Sequence, residues 1–274
     1  MDIAAMEREL LTGRRKALWR PFMRAVRGYR LIEAGDRIAV CISGGKDSLL
    51  LAAMLRLLQR HYELPFELRY LALDPGYPPE QRRRTEENLR ALEIPCTLTD
   101  TDIFEAASIR EKNPCFLCAR MRRGVLYREA KALHCNKLAL GHHFDDAIET
   151  TLMAMLYGGQ IQGMPPARRS ASCPELTLIR PLYRVREADI LQWQAAWGIE
   201  GLRCACPMGR READSRRLRV KRLIAELARE DPKVPQNLFN SLHTVQLDSM
   251  AGWKHRGEAH TFWENVEEKQ KVLR

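Results

Sequence analysis

Apolar and polar positions along this chain follow two rhythms, one helical and one of short buried runs. Leu18 to Leu31 repeats apolar residues at helical spacing among arginines and a tryptophan, which predicts an amphipathic helix ended by Gly35. Arg37 to Ile42 is a β-branched run that predicts a first strand, and Leu49 to Leu55 is apolar on all sides, as a buried helix would be. Phe66 to Leu73 predicts a second strand, closing on the loop Asp74-Pro75-Gly76-Tyr77-Pro78-Pro79. A charged helix over Glu80 to Leu92 follows, then a third strand over Ile94 to Leu98 and a polar connector from Thr101 to Ile109. Cys115 to His134 reads as helix, Lys137 to Gly141 as the fourth strand and Asp145 to Tyr157 as helix. Leu176 to Pro181 is the fifth strand and Arg186 to Trp197 another helix. The Gly/Pro/Ser/Arg-rich stretch from Gly158 to Pro174 predicts a mobile loop, and from Glu212 onward the pattern is helical only.

Strands that alternate with helices predict an α/β fold, a doubly wound and mostly parallel five-stranded sheet. The expected organisation is a helical segment over 1–35, the α/β domain over 36–205 and a helical region over 206–274.

The turn between the first strand and its helix reads Ser43-Gly44-Gly45-Lys46-Asp47-Ser48. Gly44 and Gly45 let backbone N–H groups crowd an anion, and the helix N-terminus adds its partial positive charge. Lys46 adds a full charge, and the hydroxyls of Ser43 and Ser48 can donate to phosphate oxygens. The spacer of a Walker loop is missing. The bland alternative is a glycine turn that only joins strand to helix. A second cluster, Gly141-His142-His143-Phe144-Asp145-Asp146, follows the fourth strand on the same edge of the sheet. Its carboxylates can hold Mg²⁺ against phosphate or take a proton, although Asp145 could equally cap the following helix.

The chain has 274 residues, 45% of them hydrophobic, and a net charge of +10. That surplus suits a polyanionic partner, and Arg82-Arg83-Arg84, Arg120 with Arg122-Arg123, Arg168-Arg169 and the arginines after Arg210 carry most of it. At 7% aromatic content a folded RNA with one splayed base fits better than a long stacked single strand. No apolar run is long enough to span a bilayer and no signal peptide opens the chain, so the expectation is a cytoplasmic protein. Eight cysteines there read as reduced thiols and metal ligands rather than disulfides. Cys115 and Cys118 form a Cys-x-x-Cys pair at a helix start, and Cys204-Ala205-Cys206 supplies two more, a set that suits zinc or an iron–sulfur cluster.

Ser43 to Ser48 matches the SGGxDS loop and resembles the N-type ATP pyrophosphatases, which split ATP between its α and β phosphates. Pro114-Cys115-Phe116-Leu117-Cys118-Ala119-Arg120-Met121-Arg122-Arg123-Gly124, followed by Gly141 to Asp146, is similar to the tRNA 2-thiocytidine synthetase family, TtcA. The resemblance runs from about Arg37 to Cys206. It implies an ATP-dependent tRNA sulfurtransferase that adenylates the C2 carbonyl of a cytidine, at anticodon-loop position 32, and replaces its oxygen by sulfur. It implies ATP and Mg²⁺, with Ser43, Gly44, Gly45, Lys46, Asp47, Ser48, Leu73, Asp74, Gly141 and His142 at the nucleotide. Lys46, Asp47, Asp146, Cys115 and Cys118 would be catalytic. A [4Fe-4S] cluster would be held by three cysteines, Cys115, Cys118 and one of the later pair. That pair is Cys-x-Cys here where the family has Cys-x-x-Cys; Cys206 is preferred and Cys204 remains open. The partners implied are tRNA, a cysteine desulfurase or other persulfide donor, no membrane, and a second copy in a homodimer.

Competing readings are thiolation of another tRNA base of the 2-thiouridine type, an iron–sulfur redox or sensor protein that binds nucleotide without thiolation, and a PP-loop ligase acting on a small carboxylate. Dependence on Lys46, on Cys115 and on RNA separates them.

Overall fold

The computed structural model describes residues 1–96, 98–108, 114–202 and 216–264, without the side chains of Pro114 and Cys115. They fall into two compact units, Met1–Ile224 and Ala225–Arg274.

The first unit is built on a sheet of β1 (Arg37–Ile42), β2 (Glu67–Asp74), β3 (Leu98–Asp100), β4 (Lys137–Ala139), β5 (Ala167–Arg169) and β6 (Thr177–Ile179). Their order is β3-β2-β1-β4-β6-β5, with every pair parallel except β5–β6. β1 lies between β2 and β4 with five of its six residues buried, which is why it reads as a continuous apolar run. Behind it runs α3 (Lys46–His61), in which ten residues from Ser48 to Leu58 are buried. By contrast α4 (Pro79–Ala91) buries only Thr85 and Leu89, as its charged sequence requires.

The sheet has six strands rather than the expected five. The sixth, β5, lies within the stretch expected to be a mobile loop; three residues are too few to show a period of two, and they become a strand by pairing with β6. The third strand sits at Leu98–Asp100, one turn later than its apolar run, because Ala72 to Asp74 of β2 offer their pairing groups there.

The expected helix at Leu18 to Leu31 opens as a π-helical turn, Arg15–Trp19, before α2 (Arg20–Gly28). Pro21, lacking an N–H, stands at that junction and cannot extend the ordinary ladder. Ahead of it α1 (Ile3–Leu11) is anchored on α3: the buried Glu7 carboxylate accepts from Arg56 Nη2 at 3.1 Å and Arg60 Nη2 at 2.7 Å.

The second unit contains α10 (Val234–Ser241) and an antiparallel hairpin of β7 (Gly252–His255) and β8 (Glu258–Thr261). The C-terminal region is therefore not helical only. Arg256 and Gly257, with φ of +51° and +95°, make the primed type of turn whose twist suits a two-residue hairpin. Among the described residues no helix is long and apolar enough to cross a membrane.

Candidate functional site

The carboxyl ends of β1, β2 and β4 converge where the strand order reverses direction about β1 and β4, the place where open α/β sheets form a crevice. Residues 43–45 turn from β1 into α3 there. Gly44 has a φ of +76°, and a Cβ on it would lie 2.9 Å from both Leu202 Cδ1 and Thr85 Oγ1. Its carbonyl accepts from Leu202 N at 2.8 Å, so the chain beyond the last sheet strand straps the loop. Gly141, just past β4, packs so closely that a Cβ would sit 3.0 Å from the backbone nitrogen of Ser48.

Ser48 does not behave as the sequence led one to expect. Its buried hydroxyl donates to Gly45 O at 2.9 Å and accepts from Ser43 N at 3.1 Å and Ser43 Oγ at 3.3 Å. With its proton engaged, it shapes the turn, while the α3 N-terminus is left to face an anion. Lys46 Nζ donates to Asp47 at 3.1 Å and to Glu187 Oε1 at 3.0 Å. Burial opposes the Lys46 charge, but Asp47 and Glu187 outweigh it and raise its pKa. Glu187 opens α8 (Glu187–Ala196) and also accepts from Lys221 Nζ on α9 (Arg216–Glu230). Burial would raise its carboxyl; the hydrogen bonds from Lys221 and Lys46 prevail and bring it down to about 2. Burial raises the pKa of Asp47 against the pull of His143 and Lys46.

The second cluster divides its labour. His143 caps α7 (Phe144–Gly158): its Nδ1 accepts from Asp146 N at 3.4 Å and its N donates to Asp146 Oδ2 at 3.1 Å, a reciprocal box. The proton is thereby assigned to Nε2, which faces Asp146 Oδ2 at 3.5 Å and Asp47 Oδ1 at 3.8 Å. Asp145 caps a different helix, accepting from Glu187 N at 2.7 Å. Asp146 Oδ1 accepts from Arg217 Nη1 at 3.0 Å. His142 Nδ1 is buried without a protein partner, and burial pushes its imidazole down to about 4 despite Asp146, so the ring is neutral at pH 7.

Asp74 is turned into its own loop. Oδ1 accepts from Gly76 N at 2.9 Å and Tyr77 N at 2.6 Å, and Oδ2 from Arg82 Nη1 at 2.8 Å. Of the predicted pair, Leu73 lines the cavity and Asp74 builds the turn that carries Tyr77. Tyr77 Oη donates to Ser43 O at 3.3 Å, and its ring meets Phe104 of α5 (Ile103–Ser108) edge-on at 5.8 Å.

A cavity of about 910 Å³ extends from Ser43, Asp47, His142 and Asp146 to the flank of α6 (Pro114–Ala132). There it meets Ala119, Arg122 and Arg123. Arg122 stands over the Phe104 ring at 5.2 Å. Cys118, one helical turn before Arg122, shares its side of α6 and is half-buried. Position 115 lies in the first turn of α6; its side chain, and the whole of Cys204 and Cys206, lie outside the described residues. Among the described residues no three metal-ligating side chains cluster. The donor chemistry does suit an iron–sulfur group. Positions 115 and 118 are three apart along α6, a spacing that sets two residues on one side of a helix, and a helix start favours thiolates.

Pattern reading missed Glu187 and Arg180, and it had Arg217 only within a basic run and Tyr77 only within a loop at a strand's end. Neither Glu187 nor Arg180 belongs to a local motif; the signal for Glu187 was its place after the fifth predicted strand, at the sheet's carboxyl edge.

The PP-loop domain family matches residues 19–200. The chain is 40% identical over 228 residues to the tRNA-cytidine(32) 2-sulfurtransferase of Syntrophotalea carbinolica, covering 81% of this chain and 86% of that protein. To the protein of the same name from Geobacter sulfurreducens it is 41% identical, covering 81% and 87%. Among solved structures it is similar in fold to the U34-tRNA thiolase NcsA from Methanococcus maripaludis, solved with its [4Fe-4S] cluster: the TM-score is 0.62 at 20% identity, covering 83% of this chain and 79% of that one.

Proposed function

Because the chain belongs to the PP-loop family and, within it, to the tRNA-cytidine(32) 2-sulfurtransferases, we propose that it thiolates C2 of a tRNA cytidine at the expense of ATP. The observation that carries this is a continuous cavity, among the described residues, that joins the glycine turn to the flank of the cysteine helix. Activation and sulfuration of one base need both ends within reach of it.

The C2 carbonyl oxygen of the cytidine attacks the α-phosphorus of ATP, the bond from that phosphorus to the β-bridging oxygen breaks, and pyrophosphate leaves. Hydrosulfide then adds to C2, the C2–O bond breaks, AMP departs with the original oxygen, and the thiol proton passes to solvent. Adenylation turns a poor leaving oxygen into a good one. Lys46 and the N–H groups at the start of α3 stabilise charge on the departing phosphates. Asp47 and Asp146 face the same space and would hold Mg²⁺ against the triphosphate. The unpartnered Nδ1 of the neutral His142 is left for the nucleotide. Cys115, Cys118 and a third thiolate, which we assign to Cys206, would hold a [4Fe-4S] cluster, and that group would supply the means of presenting sulfide. Reduced thiols of this kind fit a cytoplasmic protein fed by a persulfide donor, and a homodimer is the assembly we expect.

The test uses protein purified and reconstituted without oxygen, given ATP, Mg²⁺, sulfide and unmodified tRNA, with the nucleosides read by mass spectrometry. 2-Thiocytidine is expected, mapped to position 32. A 2-thiouridine product would move the target base, and no thiolated nucleoside would overturn the proposal.

A further inference from the structure

The cavity is far more basic than a triphosphate site requires at its distal end. Arg122, Arg123, Arg168, Arg169, Arg180 and Arg217 all line it, against two carboxylates, Asp47 and Asp146. Both carboxylates lie at the glycine-turn end, and Asp146 is matched by Arg217. Ion pairs elsewhere on this unit are plentiful, as at Arg82, Arg84 and Lys131. Among the described residues, none of Arg122, Arg123, Arg168, Arg169 and Arg180 forms one.

Strand register explains how two of these arginines come together. Arg168 on β5 lies opposite Leu178 on β6, and Arg180 is two residues beyond Leu178. Arg168, Leu178 and Arg180 therefore share one face of the hairpin, and all three line the cavity. Arg180 is buried; its Nη1 donates to Pro165 O at 2.6 Å and its Nε has no partner. Burial and the nearby Arg168 charge both press against its own charge. Arg122 Nε is likewise buried without a partner. A buried guanidinium with unmet N–H groups and no counter-ion is costly until an anion arrives.

We propose that the β5–β6 hairpin and the Arg122–Arg123 turn of α6 form an RNA-phosphate subsite, separate from the ATP phosphates, that holds the substrate backbone beside the target base. Arg180 is the buried anchor, and Arg168 and Arg169 at the exposed rim extend the grip outward. Ser170 and Ser172, hydroxyls on the same wall, add uncharged donors. Base identity is not read here; the subsite sets where the strand lies, so that a splayed base reaches the activated end. The inference rests on the tRNA-thiolation reading above.

The test compares the full chain with R168A/R169A and R168K/R169K. These rim positions are exposed, so the fold is spared. Dissociation constants for a tRNA transcript are taken by anisotropy without ATP, between 50 and 200 mM KCl, and those for ATP by calorimetry without RNA. The alanine variant should bind tRNA roughly tenfold more weakly, with its log–log salt slope shallower by about 1 to 2. Its ATP affinity should stay at the parent value, and the lysine variant should recover most of the slope. Parent-like tRNA binding and slope in the alanine variant would overturn the subsite while leaving thiolation standing. A parallel loss of ATP affinity would reassign the lobe to the nucleotide. If the parent chain itself bound no tRNA, the thiolation reading and the subsite would fall together.

Discussion

The ammonium of Lys46 donates to the carboxylate of Glu187 across 3.0 Å, a contact between residues 141 positions apart. The loop's only lysine is thus shared between Asp47 at its own helix start and Glu187 at the start of α8. Two opposite effects follow, because Glu187 both aims Lys46 and places a negative charge where phosphate must come. Lys46→Ala should cut AMP formation about 100-fold or more, the range for losing one charge-stabilising donor. Glu187→Gln should tighten ATP severalfold in calorimetry, since one carboxylate close to the triphosphate is gone. Weaker ATP binding in that variant would mean that aiming Lys46 matters more than repulsion.

Gly141 approaches the backbone of the phosphate turn closely. A methyl group there would meet Ser48 N at 3.0 Å and the Asp47 carbonyl carbon at 3.1 Å, both backbone atoms of α3. Nothing flexible can yield, so Gly141→Ala should cost about 1–3 kcal/mol in chemical unfolding. It should also abolish measurable ATP binding by shifting the helix start. A variant as stable as the parent with full ATP affinity would show that the two turns are not so tightly seated.

Glu149 makes a pH prediction with a definite sign. Burial outweighs the Arg217 charge and raises its carboxyl to about 7 from an ordinary 4.5. Between those values the folded protein holds a proton that the unfolded chain has lost. Stability contributed by this group therefore declines as pH rises from about 4.5 to 7. Glu149→Gln carries no such penalty, so its melting temperature relative to the parent should climb across that window and level off above it. His142, held down at about 4, acts oppositely, favouring the fold as pH rises; it is present in both proteins and cancels in the comparison. A flat difference from pH 4.5 to 8 would contradict the burial argument.

Cys118→Ser tests the cluster by a direct signal. Protein purified without oxygen should lose the broad visible absorbance and most of its iron, while calorimetry still finds ATP bound at the parent affinity. Retention of iron at the parent level would remove Cys118 from the ligands.

Legibility followed distance along the chain. Ser43 to Ser48 could be read as a phosphate turn because six adjacent residues carry the whole device: glycines for the backbone, a lysine for charge, a helix start behind. The Cys115–Cys118 pair is proposed from the sequence on the same ground, two thiols three residues apart in one segment. Asp145 and Asp146 were harder, since a carboxylate at a helix start caps whichever N–H is nearest. Asp146 closed a box with His143, while Asp145 reached across to Glu187 N on another helix.

Local chemistry by itself determined the strand–turn–helix of the phosphate loop, the buried central strand and the family of the chain, because propensity, glycine freedom and apolar period are properties of neighbouring residues. Tertiary structure alone decided the strap of Leu202 over Gly44, the pairing of Glu187 with Lys46, and the strand at Ala167–Arg169. Each of these depends on which backbone groups and charges meet across tens of residues. Three residues such as Ala167, Arg168 and Arg169 have no extended preference of their own strong enough to announce it. Hydrogen bonding to β6 makes them a strand, and that pairing carries Arg168 to the same wall as Arg180.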